Sequence, residues 1–261
     1  MESKVRAGIF IGVIAILAVV LTVSLLLGNR GGADSFSLRI GVDEGMIGFL
    51  MGDVAIAAEE AGLSIDLNVF VDCCGNAAQW AINSGRLDIG FFCPDIAGVL
   101  TGLNRDLEIY GPAVLNAEVV ALRGGVDAPT IVAIPAQRNF LIDLVHENFP
   151  SVTEIIQSAP NSILFALSSG GAEGAVMDLS GALQSKDFEF RPLSGEEFVS
   201  YSLVVHKDLI DTPQFARFVE TFNLITDDYN DPEFLESRFG LSGSIRDITR
   251  IRFEHLSEVE G

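Results

Sequence analysis

The residues with the greatest capacity for chemistry lie in one stretch, residues 71–100 (VDCCGNAAQWAINSGRLDIGFFCPDIAGVL). It holds all three cysteines of the chain, an amide and a carboxylate: Cys73, Cys74, Asn76, Cys93 and Asp95. A thiolate cluster with a nearby carboxylate suits a soft metal ion or a thiol-reactive ligand. Two other interpretations stay open, a disulfide between loops, which is typical of extracytoplasmic proteins, and buried, unreactive thiols. Three cysteines are too few for a disulfide scaffold.

The elements of this stretch would bring the cysteines together. The pattern predicts a strand that ends at Val71, a helix over 76–84 and a buried strand over 87–92. The carboxyl ends of parallel strands lie at one edge of a sheet, where ligands bind in open α/β folds. We therefore expect the loops that carry Cys73 and Cys93 to converge on a ligand site.

The chain on either side continues the alternation of strands and helices, which predicts βαβ units with parallel strands. We expect a strand break at Gly111-Pro112, where the chain would leave the first lobe, and an apolar helix stripe at Ala77, Trp80 and Ala81. The remaining predicted strands are 37–42, 64–71, 107–110, 118–122, 130–134, 152–157, 174–177, 188–193 and 201–205, and the helices are 47–61, 95–103, 137–148, 162–169, 214–226 and one from 231.

Two segments of the chain match each other. Residues 81–88 (AINSGRLD) align with residues 166–173 (ALSSGGAE), and in both a Ser-Gly pair ends a helix before an acidic residue and a buried strand. A duplicated α/β lobe explains the match. We predict a two-lobed α/β fold, in which residues 34–112 and 193–261 form lobe 1 and residues 113–192 form lobe 2.

The N-terminal 33 residues are predicted to be a membrane anchor, or a signal segment, with a spacer. Residues 7–27 are apolar and uncharged, and about 20 such residues cross a bilayer as a helix. Lys4 and Arg6 precede the run, which favours an N-terminus inside and a folded domain outside the cell. A cleaved signal peptide is the alternative, although its apolar region is usually about 7–15 residues long.

Charge and motifs exclude several classes of function. The chain has 16 basic and 36 acidic residues, a formal charge of −20, so nucleic acid and anionic lipid are not expected partners. His146, His206 and His255 are scattered, and the sequence contains no HExxH, GxSxG, P-loop or GxGxxG motif. We expect no catalytic activity, no cofactor and no metal ion.

Three segments taken together carry a family resemblance: AINSGRLDIGF, ALSSGGAEGAV and YSLVVHKDLIDTPQFARFVETFNLITDDYNDPE. In this order the chain resembles the extracytoplasmic solute-binding proteins of ABC transporters for nitrate, sulfonates, taurine and thiamine precursors, which have the type II periplasmic-binding fold. The resemblance implies a monomer that captures a small-molecule solute in an interlobe cleft by hinge closure and delivers it to a membrane permease. Two alternatives are a ligand-sensing module coupled to a membrane partner and an enzyme on this fold. The Cys73-Cys74 pair departs from the family pattern.

The candidate ligand-binding residues are those that follow each predicted strand. Free N–H groups at the helix starts near Gly75 and Gln137, with the guanidinium of Arg138, would suit an anion. The carboxylates on the same edges would suit an amine, so we expect an anionic or zwitterionic solute. The candidates are Asp43, Glu44, Cys73, Cys74, Gly75, Asn76, Cys93, Asp95, Asn116, Gln137, Arg138, Asn139 and Asp178.

Overall fold

The structure, a computed structural model, describes residues 37–72, 74–185, 187–239 and 250–257. The predicted membrane helix over residues 7–27 and the side chain of Cys73 lie outside these ranges. Within them, no helix combines the length and the apolar character needed to cross a bilayer.

The first sheet has six strands in the described part of the chain, in the order β11-β4-β10-β3-β1-β2. The strands β1, β2 and β3 run parallel, whereas β10 is antiparallel to both β3 and β4. The side chains of Leu38, Ile40 and Val42 are fully buried, as expected for a strand covered on both faces. The strands are β1 (Ser37–Asp43), β2 (Ser64–Phe70), β3 (Ile89–Phe92), β4 (Leu107–Leu115), β10 (Val199–His206) and β11 (Arg252–Phe253).

The second sheet repeats this topology, with the described strands in the order β7-β6-β8-β5-β9. The strand β6 has the parallel neighbours β7 and β8, as β1 has β2 and β3. The strand β5 is antiparallel to β8 and β9, as β10 is to β3 and β4. The strands are β5 (Glu118–Leu122), β6 (Ile131–Pro135), β7 (Glu154–Ser158), β8 (Gly174–Asp178) and β9 (Glu189–Pro192).

Helices connect and cover the strands of both sheets. The last long helix begins at a Thr212 cap, whose hydroxyl accepts the Phe215 N–H at 3.2 Å, and Phe215, Phe218 and Phe222 are buried. The helices are α1 (Met46–Glu60), α2 (Asn76–Asn83), α3 (Pro94–Leu103), α4 (Phe140–Asn148), α5 (Pro160–Ser168), α6 (Leu179–Leu183), α7 (Lys207–Ile210), α8 (Pro213–Asn230) and α9 (Pro232–Phe239).

The predicted Ser-Gly helix ends are confirmed in both sheets. Gly85 and Gly170 adopt the left-handed region, with φ of 67° and 82°, after helices α2 and α5. The acidic residue of each repeat accepts a hydrogen bond from the backbone at or near the start of another strand. The Asp88 carboxylate accepts the Arg39 N–H at 2.8 Å, and the Glu173 carboxylate accepts the Thr130 N–H at 2.7 Å. The repeated residues therefore belong to the scaffold.

The predicted strand break at Gly111-Pro112 is wrong. The strand β4 continues to Leu115, and the chain crosses to the second sheet at Asn116 and Ala117. Proline cannot donate to a strand ladder, but the register of β10 shifts between Tyr201 and Ser202, next to Pro112. This irregularity accommodates the proline inside a continuous strand.

Two helix predictions also need correction. The helix predicted from residue 137 begins at Phe140, because Gln137 has a φ of 65°, which a right-handed helix does not allow. The buried stripe of α2 is Ala78, Ala81 and Ile82, whereas Trp80 is 57% exposed.

Candidate functional site at the junction of the two sheets

A cavity of about 330 Å³ lies where the ends of the two sheets meet. Carboxylates line one part of it and aliphatic side chains another. The lining from the first half of the chain is Asp43, Glu44, Gly45 and Val71, and from the second half Pro135, Arg138, Pro160, Asn161, Ile163, Leu164, Val176, Met177, Asp178, Ser180, Gly181 and Gln184.

Arg138 is the central cation of this junction. Its side chain is buried, and its Nη1 donates to Glu118 Oε1 at 2.9 Å while its Nη2 donates to Asp43 Oδ2 at 3.2 Å. The same Nη2 lies 3.3 Å from the Tyr201 hydroxyl. Asp43 ends β1 in the first sheet and Glu118 begins β5 in the second, so the guanidinium bridges the two halves. The charge of Arg138 is thus paired with two carboxylates of the protein itself, and Arg138 also lines the cavity.

Glu118 is fully buried behind Arg138. Its Oε2 accepts a hydrogen bond from Ser200 Oγ, which in turn accepts the Ala117 N–H at 2.8 Å. Burial raises the pKa of Glu118 to about 7, although the Arg138 charge and the Ser200 hydrogen bond oppose the shift. This carboxyl therefore titrates near neutral pH.

The side chain of Asp178, at the end of β8 in the second sheet, contacts residues of the first half of the chain. Its Oδ1 accepts the Met46 N–H at the start of α1 at 3.1 Å and the Ser180 N–H at 2.8 Å. The Tyr201 hydroxyl lies 3.3 Å from Asp178 Oδ2 and 2.5 Å from Asp43 Oδ2, and it has one proton to donate. Burial, followed by the charge of Asp43, raises the pKa of Asp178 to about 6.

Asp95 makes the reciprocal contact from the first sheet to the second. Its Oδ2 accepts the Phe140 N–H at the start of α4 at 2.9 Å. Nearby, Gln79 Nε2 donates to Gln137 Oε1 at 3.2 Å. Helix N-termini favour anions. The start of α1 and the start of α4 thus each receive a carboxylate from the opposite half of the molecule.

The two described cysteines lie in the core and do not line the cavity. Cys74 and Cys93 have no exposed surface, and their Sγ atoms are 2.7 Å apart. This burial separates the side chains of both cysteines from the cavity. Within the described ranges, no group of three or more histidine, cysteine and acidic residues could hold a metal ion.

The remaining candidates do not line the cavity either. Gly75 and Asn76 begin α2, and Asn139 is exposed at the start of α4. Asn116 has a φ of 55° at the crossing between the sheets, where its N–H donates to Phe198 O at 3.1 Å and its Oδ1 accepts the Phe198 N–H at 3.1 Å. The chain passes between the two sheets once near Asn116 and once near Phe198, and these hydrogen bonds hold the two crossing segments side by side.

Solved structures share this architecture. The alkanesulfonate-binding protein of Xanthomonas axonopodis pv. citri, bound to MOPS, is 14% identical with a TM-score of 0.60, covering 84% of each chain. A zinc-bound ligand-binding component of an ABC-type import system from Staphylococcus aureus is 15% identical with a TM-score of 0.59, covering 84% of this chain and 86% of the other. A methionine-bound nutrient-binding protein of Burkholderia cenocepacia is 16% identical with a TM-score of 0.56, covering 78% and 97%. The chain has the fold of ABC-type substrate-binding proteins.

The predicted resemblance is thus confirmed at the level of the fold. No protein-family model matches the sequence, and no curated protein matches it. In this substrate-binding-protein fold, the cavity lies between the two sheets, at the ends of strands β1, β6 and β8.

Sequence reasoning missed Glu118, Ser200 and Tyr201. Glu118 and Tyr201 are the first residues of predicted strands and Ser200 directly precedes one, in segments that are otherwise mostly buried and apolar. One signal was available, because a single carboxylate at the start of the fully buried strand EVVAL needs a partner of opposite charge. The aliphatic wall at Ile163 and Leu164 was missed because these residues lie on a helix rather than after a strand.

Proposed function

We propose that the protein is the extracytoplasmic solute-binding subunit of an ABC importer. One observation carries the proposal, namely a cavity lined jointly by residues of both sheets in a chain with the substrate-binding-protein fold. A volume of about 330 Å³ is at the lower end of the range of about 300–1,000 Å³ for ligand pockets, which fits a small solute. The two sheets act as lobes that open and close about the crossings at Asn116 and Phe198.

The solute carries a cationic group, with or without an anionic one, and an apolar portion. Asp43, Glu44 and Asp178 face the cavity, while Arg138 is paired with Asp43 and Glu118. The aliphatic wall would receive the apolar portion. A purely anionic solute is disfavoured, because it would meet more negative than positive charge there.

The role is binding and delivery rather than catalysis. The solved structures that share this fold and support the proposal are binding proteins, among them a ligand-binding component of an ABC-type import system. The partner is a membrane permease, to which a monomeric subunit delivers the solute. The apolar run over residues 7–27 would hold the domain at the outer face of the membrane.

A thermal-unfolding screen of amines, amino acids, sulfonates and metal ions tests this function. A solute at 100 times its Kd adds about 2.7 kcal/mol to the free energy of unfolding, so its effect is easily seen. For a positively charged hit, Glu44→Gln should lower the affinity, and Glu59→Gln, on the exposed face of α1, should not. The proposal fails if no compound in the panel raises the unfolding temperature.

A further inference from the structure

We propose that Cys74 and Cys93 form a disulfide bond in the extracytoplasmic protein. Both residues are fully buried, and their Sγ atoms lie 2.7 Å apart. The backbone N–H of Cys93 also donates to Cys74 Sγ at 3.3 Å. The inference rests on the proposed function for one point only, the oxidising surroundings of a domain outside the cytoplasm.

The local structure holds both cysteines in place. Cys93 precedes Pro94 and is the cap residue of α3, directly after the buried strand β3. Cys74 lies two residues after Asp72. The Oδ1 of Asp72 accepts the Cys74 N–H at 3.0 Å, and its backbone O accepts the Gly75 N–H at 3.1 Å. The pairing therefore follows from the hydrogen bond that Cys74 makes with Asp72 and from the position of Cys93 at the start of α3, at one sheet edge.

Oxidation requires a disulfide oxidant, for which oxidised glutathione serves in vitro. The thiolate of one cysteine attacks a sulfur of the oxidant and releases one reduced glutathione. The second thiolate then displaces the other glutathione, and the two thiol protons pass to solvent and to the departing glutathione thiolates. The hydrogen bond to Cys74, together with burial, raises the pKa of the Cys93 thiol far above its usual range. Because thiolates are scarce in the folded protein, the bond forms during folding, while the loops are accessible.

The bond would stiffen one lobe without locking the cleft. Cys74 and Cys93 both follow strands of the first sheet, so the bridge fixes the start of α2 against the start of α3. The contacts between the halves, such as Asp95 with Phe140, are separate from it. Lobe opening is expected to be the same in the bridged and the reduced protein.

The test is to refold the reduced, unfolded full-length protein with a mixture of reduced and oxidised glutathione. The products are then alkylated with N-ethylmaleimide in denaturant and weighed by mass spectrometry. The parent protein should take up one N-ethylmaleimide per chain, against three after reduction, since the chain has three cysteines. Cys73→Ser should keep the bridge and take up none. Cys74→Ser and Cys93→Ser should each take up two, and reduction should lower the unfolding temperature of the parent and of Cys73→Ser only.

Three alkylated cysteines in the refolded parent, or a bridge that persists in Cys74→Ser, overturns the proposal. The Cys73→Ser variant keeps the test valid if either of the other variants fails to fold. A bridged protein that binds no solute contradicts the proposed function and leaves the disulfide intact. A protein that binds solute but carries three thiols contradicts the disulfide alone.

Discussion

The carboxylate of Asp178 accepts the backbone N–H of Met46 at 3.1 Å, although the two residues belong to opposite halves of the molecule. Asp95 repeats this relationship in the other direction with Phe140. The protein's own carboxylates therefore stand at the two helix starts that the fold offers to an anion. These two hydrogen bonds connect the opposite halves of the molecule.

The buried carboxyls predict that the folded protein becomes more stable as the pH falls from 8 towards 5.5. The pKa of Glu118 is raised from 4.5 to about 7, and that of Asp178 from 3.8 to about 6. The folded state therefore binds these protons more tightly than the unfolded state. The destabilisation that these two buried charges cause is absent at pH values below the pKa values of the unfolded chain. It is fully present at pH values above the pKa values of the folded protein.

Urea unfolding at several pH values between 5.5 and 8 measures this effect. We expect a gain in the free energy of unfolding on the order of 2–3 kcal/mol on acidification across this window. Glu118→Gln keeps a hydrogen-bonding side chain but cannot titrate, so it should remove much of the slope. Stability that falls steadily between pH 8 and pH 6 would contradict the assignment.

Removing the buried cation should be strongly destabilising at alkaline pH. Arg138→Met leaves the charges of Asp43 and Glu118 without the guanidinium, and breaking a buried pair in this way costs about 3–5 kcal/mol. The loss should shrink at pH 5.5, because Glu118 can then become neutral. Urea unfolding of this variant at both pH values measures the difference.

Arg191→Met is the matched control for the Arg138 variant. Arg191 pairs with Asp127 and Glu189 at the surface, where ion pairs contribute about 0–1 kcal/mol. Its loss should be small at both pH values. Equal effects of the two substitutions would show that burial does not distinguish the two arginines.

Asp95→Ala should loosen the contact between the lobes. The substitution removes the only side-chain acceptor shown for the Phe140 N–H in the described structure, and loss of a helix cap costs about 1 kcal/mol. Hydrogen exchange should accelerate at the first amides of α4. Glu147→Ala, exposed on the same helix, serves as the control, and slow exchange in both variants would rule out a role for Asp95 in closure.

The corrected face of α2 gives a further comparison. Ile82 is fully buried, so Ile82→Ala should cost about 2–5 kcal/mol in unfolding free energy. Trp80 is 57% exposed, and Trp80→Ala should cost less than about 1 kcal/mol despite the larger side chain. Chemical denaturation ranks the two variants, and the opposite ranking would restore the predicted stripe.

Local patterns in the sequence identify much of the fold. The Ser-Gly helix ends at Gly85 and Gly170, and the strand-ending carboxylates Asp43 and Asp178, follow from the positions of neighbouring elements alone. The continuity of β4 through Pro112 could not be predicted, because it depends on a register shift in β10, a strand far along the chain.

The contacts between the site residues could not be predicted from the sequence either. Arg138 is separated by 95 residues from Asp43 and by 20 from Glu118, and no local sequence pattern indicates either contact. Tyr201 is 158 residues from Asp43 and lies within an apolar strand. The residues at the ends of strands were identified, whereas the partners that neutralise them were not.

The orientation of α2 also has a spectroscopic consequence. Trp80 is the only tryptophan of the chain, and the Arg86 guanidinium lies over its ring, 4.7 Å from the centroid. Its neighbour Gln79 donates across the junction to Gln137. Excitation that is selective for tryptophan therefore monitors a single, partly exposed indole on α2, next in sequence to a residue that contacts Gln137, so its emission reports changes around α2 without any label.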